Sequence, residues 1–279
     1  LHCSVRRQRQ MCIRDRSKYS TIDVNREECK YDVGGYFIIN GNEKVLITQE
    51  KIVPNKIQIY RNVKNTSKYG LISEIRTLKG DSFNIAKCVS IKYTYKKGVY
   101  NNRLYISIPH IKQDIPLFVL FKALGCLSDK EIIYKIIDND NEQVDLEMIK
   151  LLKVSLLDVS DIYSENAAIK YISENLKKDS KNFTSDMRYK YCKNIIDTEF
   201  MVHCRSHSEK INYLALMTNK LLKAEIGIIE VSDRDSYLNK RLEPAGTLLG
   251  TLFYQSILRI IKDIRTVSYT HLRAHETGY

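Results

Sequence analysis

Alternating polar and apolar residues in the first half of the chain predict antiparallel β-strands. The alternation runs through residues 56–60, 89–95 and 104–108, where β-branched and aromatic residues are frequent. A period of two turns one face of each strand toward a core and the other toward solvent. Residues 96–102 contain Gly and Asn and suit a hairpin turn between the second and third of these strands.

A further hairpin is predicted upstream of these strands. Two apolar runs, residues 36–39 and 45–47, flank the dipeptide Asn40-Gly41. A type I′ turn needs positive φ at both central residues, and Asn-Gly meets that need best. We therefore expect a tight hairpin centred on Asn40 and Gly41.

From about residue 116 the apolar spacing becomes helical. Gly125 is placed to end a helix over residues 116–124, and Ser128 with Glu131 forms a capping box before the next apolar stripe. Residues 145–157 and 165–176 are moderately periodic. These patterns predict four helices in this part of the chain.

Two stronger helical stripes follow. Ser206 and Glu209 form a second capping box, and Pro244 is placed to open a last helix. We expect both stripes to be buried in the core; they comprise Ile211, Leu214, Met217 and Leu221 in the first helix and Leu249, Leu252, Phe253, Ile257, Ile260, Ile261 and Ile264 in the second. Because strands come first and helices follow, the predicted class is α+β, with antiparallel sheets and packed helices.

The two ends of the chain resemble translated sequencing-adapter sequence. Residues 1–16 contain QRQMCIRDR and residues 266–279 contain SYTHLRAHET. We exclude both ranges from the fold and expect no regular element in them. For the basic residues 1–16, a targeting or nucleic-acid-binding arm is the alternative.

Positive charge is concentrated in one segment. The whole chain has a net charge of +12, and residues 56–122 hold 13 Lys and Arg against 3 Asp and Glu. Such a segment predicts a surface that faces a polyanion, although a merely solvated lysine-rich surface is an equal alternative. No run of 18 apolar residues occurs, so we expect no membrane span and no membrane partner.

Residues with catalytic or metal-binding chemistry are sparse. His203 and His207 are four residues apart but have no third ligand nearby, and the cysteines form no C-x-x-C pair. Asp233 and Asp235 resemble a metal-binding pair, yet Arg234 lies between them and a nuclease would need a third carboxylate. We predict no catalytic residue, no metal site and no cofactor site in this chain.

Three basic residues near this aspartate pair are the candidate binding residues. They are Arg234, Lys240 and Arg241, close to a turn at Gly246. Guanidinium and ammonium groups are the usual partners of phosphate oxygens, and they position nucleic acid without reading its sequence. We predict that these three side chains contact nucleic acid.

Three separated motifs resemble the second-largest subunit of multisubunit DNA-directed RNA polymerases. They lie in the family's order and read Cys29-x-Tyr31-Asp32-x-Gly34-Gly35-Tyr36-Phe37-Ile38-Ile39-Asn40-Gly41-x-Glu43-Lys44-Val45-Leu46-Ile47, then Ile115-Pro116 before Phe121-Lys122-Ala123-Leu124-Gly125, then Asp233-Arg234-Asp235 through Asn239-Lys240-Arg241-Leu242 to Ala245-Gly246-x-Leu248-Leu249. The chain departs from cellular relatives at Ser236 and Leu238, where they commonly have His and Gly.

The resemblance implies an internal fragment of that subunit, in which a lobe domain is inserted into a protrusion domain. Residues 17–55 would be the first part of the protrusion and residues 56–178 the lobe. Residues 179–226 would return to the protrusion, and residues 227–265 would start the fork. The family's Mg²⁺ and its structural Zn²⁺ would be held outside this fragment, which alone would be inactive.

By the same resemblance, the fragment would form a wall of the DNA cleft during transcription. Its partners would be the DNA template, the RNA–DNA hybrid, the largest subunit and other polymerase subunits. The enzyme would act in the nucleus, or in the host cytoplasm or virion if the source is a large DNA virus. The alternative is a freestanding basic nucleic-acid-binding module.

Overall fold

The structure is a computed structural model of the 279-residue chain. It describes residues 36–62, 69–80, 83–94, 102–137, 141–159, 161–176, 184–233 and 235–276, with side chains from residue 39 to residue 267. The chain divides into two compact units, one of Ile52–Arg241 and one of Leu1–Lys51 with Leu242–Tyr279. The predicted turn at 96–101 and the range 1–16 lie outside the described residues.

Every strand pair for which a register is described is antiparallel. In chain order the strands are β1 Tyr36–Ile39, β2 Asn42–Val45, β3 Gln49–Ile52, β4 Gln58–Arg61, β5 Tyr69–Thr77, β6 Lys87–Thr94, β7 Leu104–Ser107, β8 Ile115–Pro116 and β9 Lys240–Glu243. Strands β4 to β8 form one five-stranded sheet in that order, β1 pairs with β2, and β3 pairs with β9.

The Asn-Gly hairpin is confirmed. Ile39 lies opposite Asn42, so Asn40 and Gly41 alone make the turn. Their φ angles are 51° and 81°, the positive values that a type I′ turn requires. The local sequence was therefore sufficient to predict this turn.

The inner face of the five-stranded sheet is apolar. Leu71 lies opposite Tyr93, and Ile91 lies opposite Ile106. All four side chains are buried. The longest strand, β5, was not predicted, because the small polar residues Ser73 and Thr77 occupy buried positions and hide its alternation.

The helices follow the sheet in sequence. They are α1 Leu117–Ala123, α2 Asp129–Ile136, α3 Glu142–Leu157, α4 Glu165–Glu174, α5 Ser185–Thr198, α6 His207–Ile226 and α7 Ala245–Glu276. Helices α1 to α6 and the inner face of the sheet share one hydrophobic core. The predicted α+β class, with antiparallel sheets and packed helices, is confirmed.

Local signals set several helix ends. The Ser206 hydroxyl accepts a hydrogen bond from the Glu209 N–H at 3.2 Å, as its capping box predicts. Gly125 and Gly227 end α1 and α6 with φ of 103° and 94°, which favours glycine. Ser128 precedes α2 as predicted, but its side chain makes no capping hydrogen bond.

The apolar stripe of α7 is not a core stripe, and that prediction was wrong. Phe253 is 68% exposed and Ile264 is 61% exposed. Periodicity shows that one face of a helix is apolar, but it does not show that another element covers the face. The stripe of α6, in contrast, is buried as predicted.

Helix α7 also continues into the range 266–276, where no regular element was expected. Residues 266–276 contain neither Gly nor Pro. A helix that has already formed propagates through such residues at little cost. The assignment of this range to adapter sequence stays a prediction.

The four predicted domain ranges stay predictions as well. The unit Ile52–Arg241 contains residues 56–178 and 179–226, and α5 and α6 join the same core as α1 to α4. Among the described residues, none of the helices combines the length and the apolar character that a membrane span requires.

Candidate nucleic-acid interface

Lys240 and Arg241 open strand β9, directly after a short 3₁₀ helix at Tyr237–Asn239. Arg241 is exposed, and the side chain of Lys240 keeps 24% of its surface accessible. The third predicted residue, Arg234, lies outside the described residues. The structure therefore describes two of the three candidates, at consecutive positions of β9.

The loop before these residues is fixed by Asn239, which is 8% exposed. Its side-chain amide donates to the Asp233 carbonyl at 2.8 Å. Its own carbonyl accepts from the Val53 N–H at 3.0 Å. The Lys56 ammonium donates to the neighbouring Leu238 carbonyl at 3.0 Å. These bonds hold the backbone before Lys240 in one path.

Asp233 and Asp235 make contacts within the loop that precedes Lys240. One carboxylate oxygen of Asp233 accepts the Asp235 N–H at 3.0 Å, which is the geometry of an Asx turn. The Asp235 carboxylate is 95% exposed and lies 4.0 Å from the Lys240 ammonium. Within the searched residues, no group of three His, Cys, Asp or Glu side chains could hold a metal ion.

An exposed tyrosine beside Lys240 was missed by the sequence analysis. Tyr237 is 79% exposed, and the Lys240 ammonium lies 5.6 Å from the centre of its ring. An aromatic face next to a cation suits stacked bases with their phosphates. In the sequence, this pair is indicated only by the position of Tyr237 three residues before Lys240.

The two histidines do not form a site. His207 begins α6 and its Nε2 atom lies 2.8 Å from a carboxylate oxygen of Asp197. His203 precedes the helix and stacks edge-on against Tyr213, with ring centres 4.6 Å apart. Burial lowers the pKa of His203. Their four-residue spacing does not place them on one helix, because α6 starts only at His207.

Much of the basic segment is engaged in ion pairs. Lys87 pairs with Glu199 at 2.7 Å, Lys92 with Asp114 at 2.8 Å and Arg103 with Asp158 at 3.2 Å. Two of these carboxylates come from beyond residue 122. The excess of positive charge in residues 56–122 is thus partly balanced by the fold.

Comparison with known proteins shows the family to which this chain belongs. A family profile described as RNA polymerase Rpb2, domain 2, matches residues 83–243, which include strands β6 to β8 of the sheet, α1 to α6, Lys240 and Arg241. The chain belongs to this family, the second-largest subunits of DNA-directed RNA polymerases. The resemblance stated from the three motifs is confirmed.

Particular relatives come from eukaryotes and archaea. The chain is 32% identical to DNA-directed RNA polymerase II subunit 2 of Arabidopsis thaliana, over 90% of this chain and 22% of that protein. It is 34% identical to subunit RPB2 of Encephalitozoon cuniculi, over 85% of this chain and 20% of that protein. It is 34% identical to subunit Rpo2N of Methanothermobacter thermautotrophicus strain Delta H, over 84% of this chain and 46% of that protein.

The chain spans about a fifth of the length of its polymerase II relatives. It therefore corresponds to one part of the second-largest subunit.

Proposed function

We propose that this chain acts in transcription as part of an assembled DNA-directed RNA polymerase, a nucleotidyltransferase, and forms a wall of its DNA cleft. The observation that carries the proposal is the family match over residues 83–243. The chain contributes no catalytic group and is inactive alone. We assign the Mg²⁺ and the structural Zn²⁺ of the enzyme to its other parts, as the family resemblance implies.

The partners follow from the same proposal. They are the DNA template, the RNA–DNA hybrid, the largest subunit and other polymerase subunits. Polymerase II relatives in three eukaryotes support action in the nucleus. Residues 17–55 and 179–226 would belong to the protrusion, residues 56–178 to the lobe and residues 227–265 to the fork.

Within this assembly, Lys240 and Arg241 bind phosphates of the nucleic acid, together with Arg234. Two features support this role. The loop that precedes Lys240 is fixed through the buried Asn239, so little conformational entropy is lost when a phosphate binds. Tyr237 offers an exposed ring next to the Lys240 ammonium. Arg241, on an exposed strand position, can reach a second phosphate.

The test is the double substitution Lys240→Ala with Arg241→Ala in the assembled polymerase. We expect weaker retention of the template–hybrid scaffold. The slope of log Kd against log salt concentration should decrease by about 1 to 2, since one or two phosphate contacts are lost. Dissociation of a fluorescent scaffold, measured at several salt concentrations, checks both effects.

The matched control is Lys190→Ala with Lys193→Ala, two exposed lysines on α5. Equal effects of both pairs would show a general charge effect and contradict the assignment. Nucleotide incorporation by the purified chain would contradict its inactivity. Tight binding of long duplex DNA by the purified chain, without other subunits, would favour the freestanding module.

A further inference from the structure

A polar cleft lies on the outer face of the five-stranded sheet, in the unit Ile52–Arg241. Its cavity volume is about 720 Å³. Strands β5 to β8 supply its floor, since Lys92 lies opposite Tyr105 and Tyr105 lies opposite Pro116. The loop before β8, the end of α3 and helix α4 supply its sides. A cavity of this size accommodates a ligand of a few hundred daltons.

Three cations line this cleft, and two of them are held in place by carboxylates. Lys92 donates to both carboxylate oxygens of Asp114 at 2.8 and 3.0 Å. Arg103 pairs with Asp158 at 3.2 Å. Burial alone would raise the pKa of Asp114, but hydrogen bonds from Lys92 and Tyr69 outweigh burial and lower that pKa. Asp114 therefore stays ionised and keeps Lys92 in position.

Lys112 is the third cation. Its side chain is exposed, and its backbone N–H donates to the Asn175 carbonyl at 2.9 Å. This bond ties the loop that carries Lys112 to the end of α4. With three cations and two carboxylates, the charged side chains of the lining have a net charge of +1.

Three tyrosines share the lining with these cations. They are Tyr69, Tyr105 and Tyr171. The Lys92 ammonium lies 5.0 Å from the centre of the Tyr69 ring, and Tyr171 is 39% exposed. Aromatic faces stack on planar rings, and cations beside them attract negative charge. A nucleotide has both features, in its base and in its phosphate.

We propose that this cleft binds one nucleotide unit, with its base against Tyr171 and its phosphate at Lys112 and Arg103. The net charge of the lining matches the one or two negative charges of a single phosphate group better than the charge of a triphosphate. The nucleotide comes from a single strand or from a free mononucleotide, which share this chemistry. The site is separate from Lys240 and Arg241, and it does not depend on the proposed role in the polymerase.

The experiment measures binding of a fluorescein-labelled thymidine trinucleotide to the purified 279-residue chain by anisotropy. Lys112→Glu should raise Kd on the order of tenfold, since it replaces a phosphate contact by repulsion. Tyr171→Ala should raise Kd on the order of fivefold or more, since base stacking is lost. The matched control is Lys150→Glu, an exposed lysine on α3 that does not line the cleft. It should change Kd by less than about twofold.

Competition separates the two sources of the nucleotide. Displacement by adenosine monophosphate as efficiently as by unlabelled trinucleotide supports a free nucleotide, and displacement by the trinucleotide alone supports a single strand. A 5-iodouridine-containing trinucleotide should photo-crosslink at Tyr171 or Tyr105. Absence of saturable binding, equal effects of Lys112→Glu and Lys150→Glu, or equal displacement by inorganic phosphate or a hexaglutamate peptide would each overturn the proposal.

Discussion

Two buried lysines show how single residues hold helices in place. Lys122 is 3% exposed; its ammonium donates to the Ile162 carbonyl at 2.9 Å and pairs with Asp129 at 3.1 Å. Lys210 is 2% exposed and donates to the Ile196 and Asp197 carbonyls at 2.8 and 2.7 Å. Burial lowers the pKa of Lys210. Each lysine satisfies carbonyls that would otherwise lack a donor.

Replacing Lys122 by Met should therefore destabilise the chain. The apolar stem is kept, but the Ile162 carbonyl loses its charged donor and Asp129 loses its partner. We expect a loss of about 1–3 kcal/mol in the free energy of unfolding. Urea denaturation followed by circular dichroism measures it. Lys150→Met, on the exposed face of α3, is the control; the same loss in both variants would contradict the role given to Lys122.

Cys192 makes stability depend on alkaline pH. Its side chain is buried in α5, and burial raises the pKa of the thiol from 9.0 to about 12. Above pH 9 the unfolded chain releases this proton first, so the thiol's contribution to stability is complete below pH 9 and is lost as pH rises toward 12. The free energy of unfolding should fall by up to about 1.4 kcal/mol per pH unit from this group.

The variant Cys192→Ala isolates this effect. Urea denaturation under reducing conditions between pH 7 and 10.5 should give a shallower alkaline fall for Cys192→Ala than for the parent chain. Below pH 8 the two curves should run parallel. An identical alkaline slope in both proteins would show that the thiol does not titrate as proposed.

Among the elements, helices with nearby capping signals were predicted best. Gly125, Ser206 and Pro244 mark the ends of α1, α6 and α7 within a residue or two of where they fall. Strand β5 has no such signal, and helix α5 has only Thr184, whose hydroxyl accepts the Met187 N–H at 3.4 Å without the Glu or Gln that would complete a capping box. Helix α5 is rich in charged residues, and only Cys192, Ile195 and Ile196 are fully buried. Packing on neighbouring elements, which no local pattern records, stabilises both.

The uncovered stripe of α7 has a measurable consequence. Phe253 and Ile260 are 68% and 57% exposed and lie seven residues apart on one face. Large exposed apolar patches promote association. We expect the chain to self-associate at tens of micromolar, and Phe253→Gln with Ile260→Gln to shift it toward monomer in sedimentation velocity. Lys262→Gln should leave the distribution unchanged; no shift in the double variant would show that the stripe does not drive association.

At the scale of the whole molecule, the fold neutralises part of the positive charge that the sequence places in residues 56–122. Residues 56–122 carry most of the excess positive charge, yet Lys87 and Arg103 pair with Glu199 and Asp158 from later helical segments. Exposed cations lie in particular places, such as Lys112 in the cleft and Arg241 on β9. Net charge alone could not have distinguished these places.

The candidate sites differ in how far the sequence reveals them. Lys240 and Arg241 are adjacent and lie in a motif, so the sequence alone could propose them as binding residues, and that assignment stays a prediction. The cleft is assembled from residues between Tyr69 and Tyr171, which are brought together only by the register of the sheet and the packing of α4. Arg103 and Lys112 had no distinguishing pattern. Long-range contacts therefore decided the second site.

The sequence by itself determined the α+β class, the Asn40-Gly41 hairpin, several helix ends and the family. These features depend on backbone conformations and periodicities that act within a few residues, or on motifs that are legible in order. Only the tertiary structure decided that β5 lies within the sheet, that Lys122 and Lys210 are buried and that the stripe of α7 is exposed. Burial depends on which distant surfaces meet, and a local pattern carries no record of its partner.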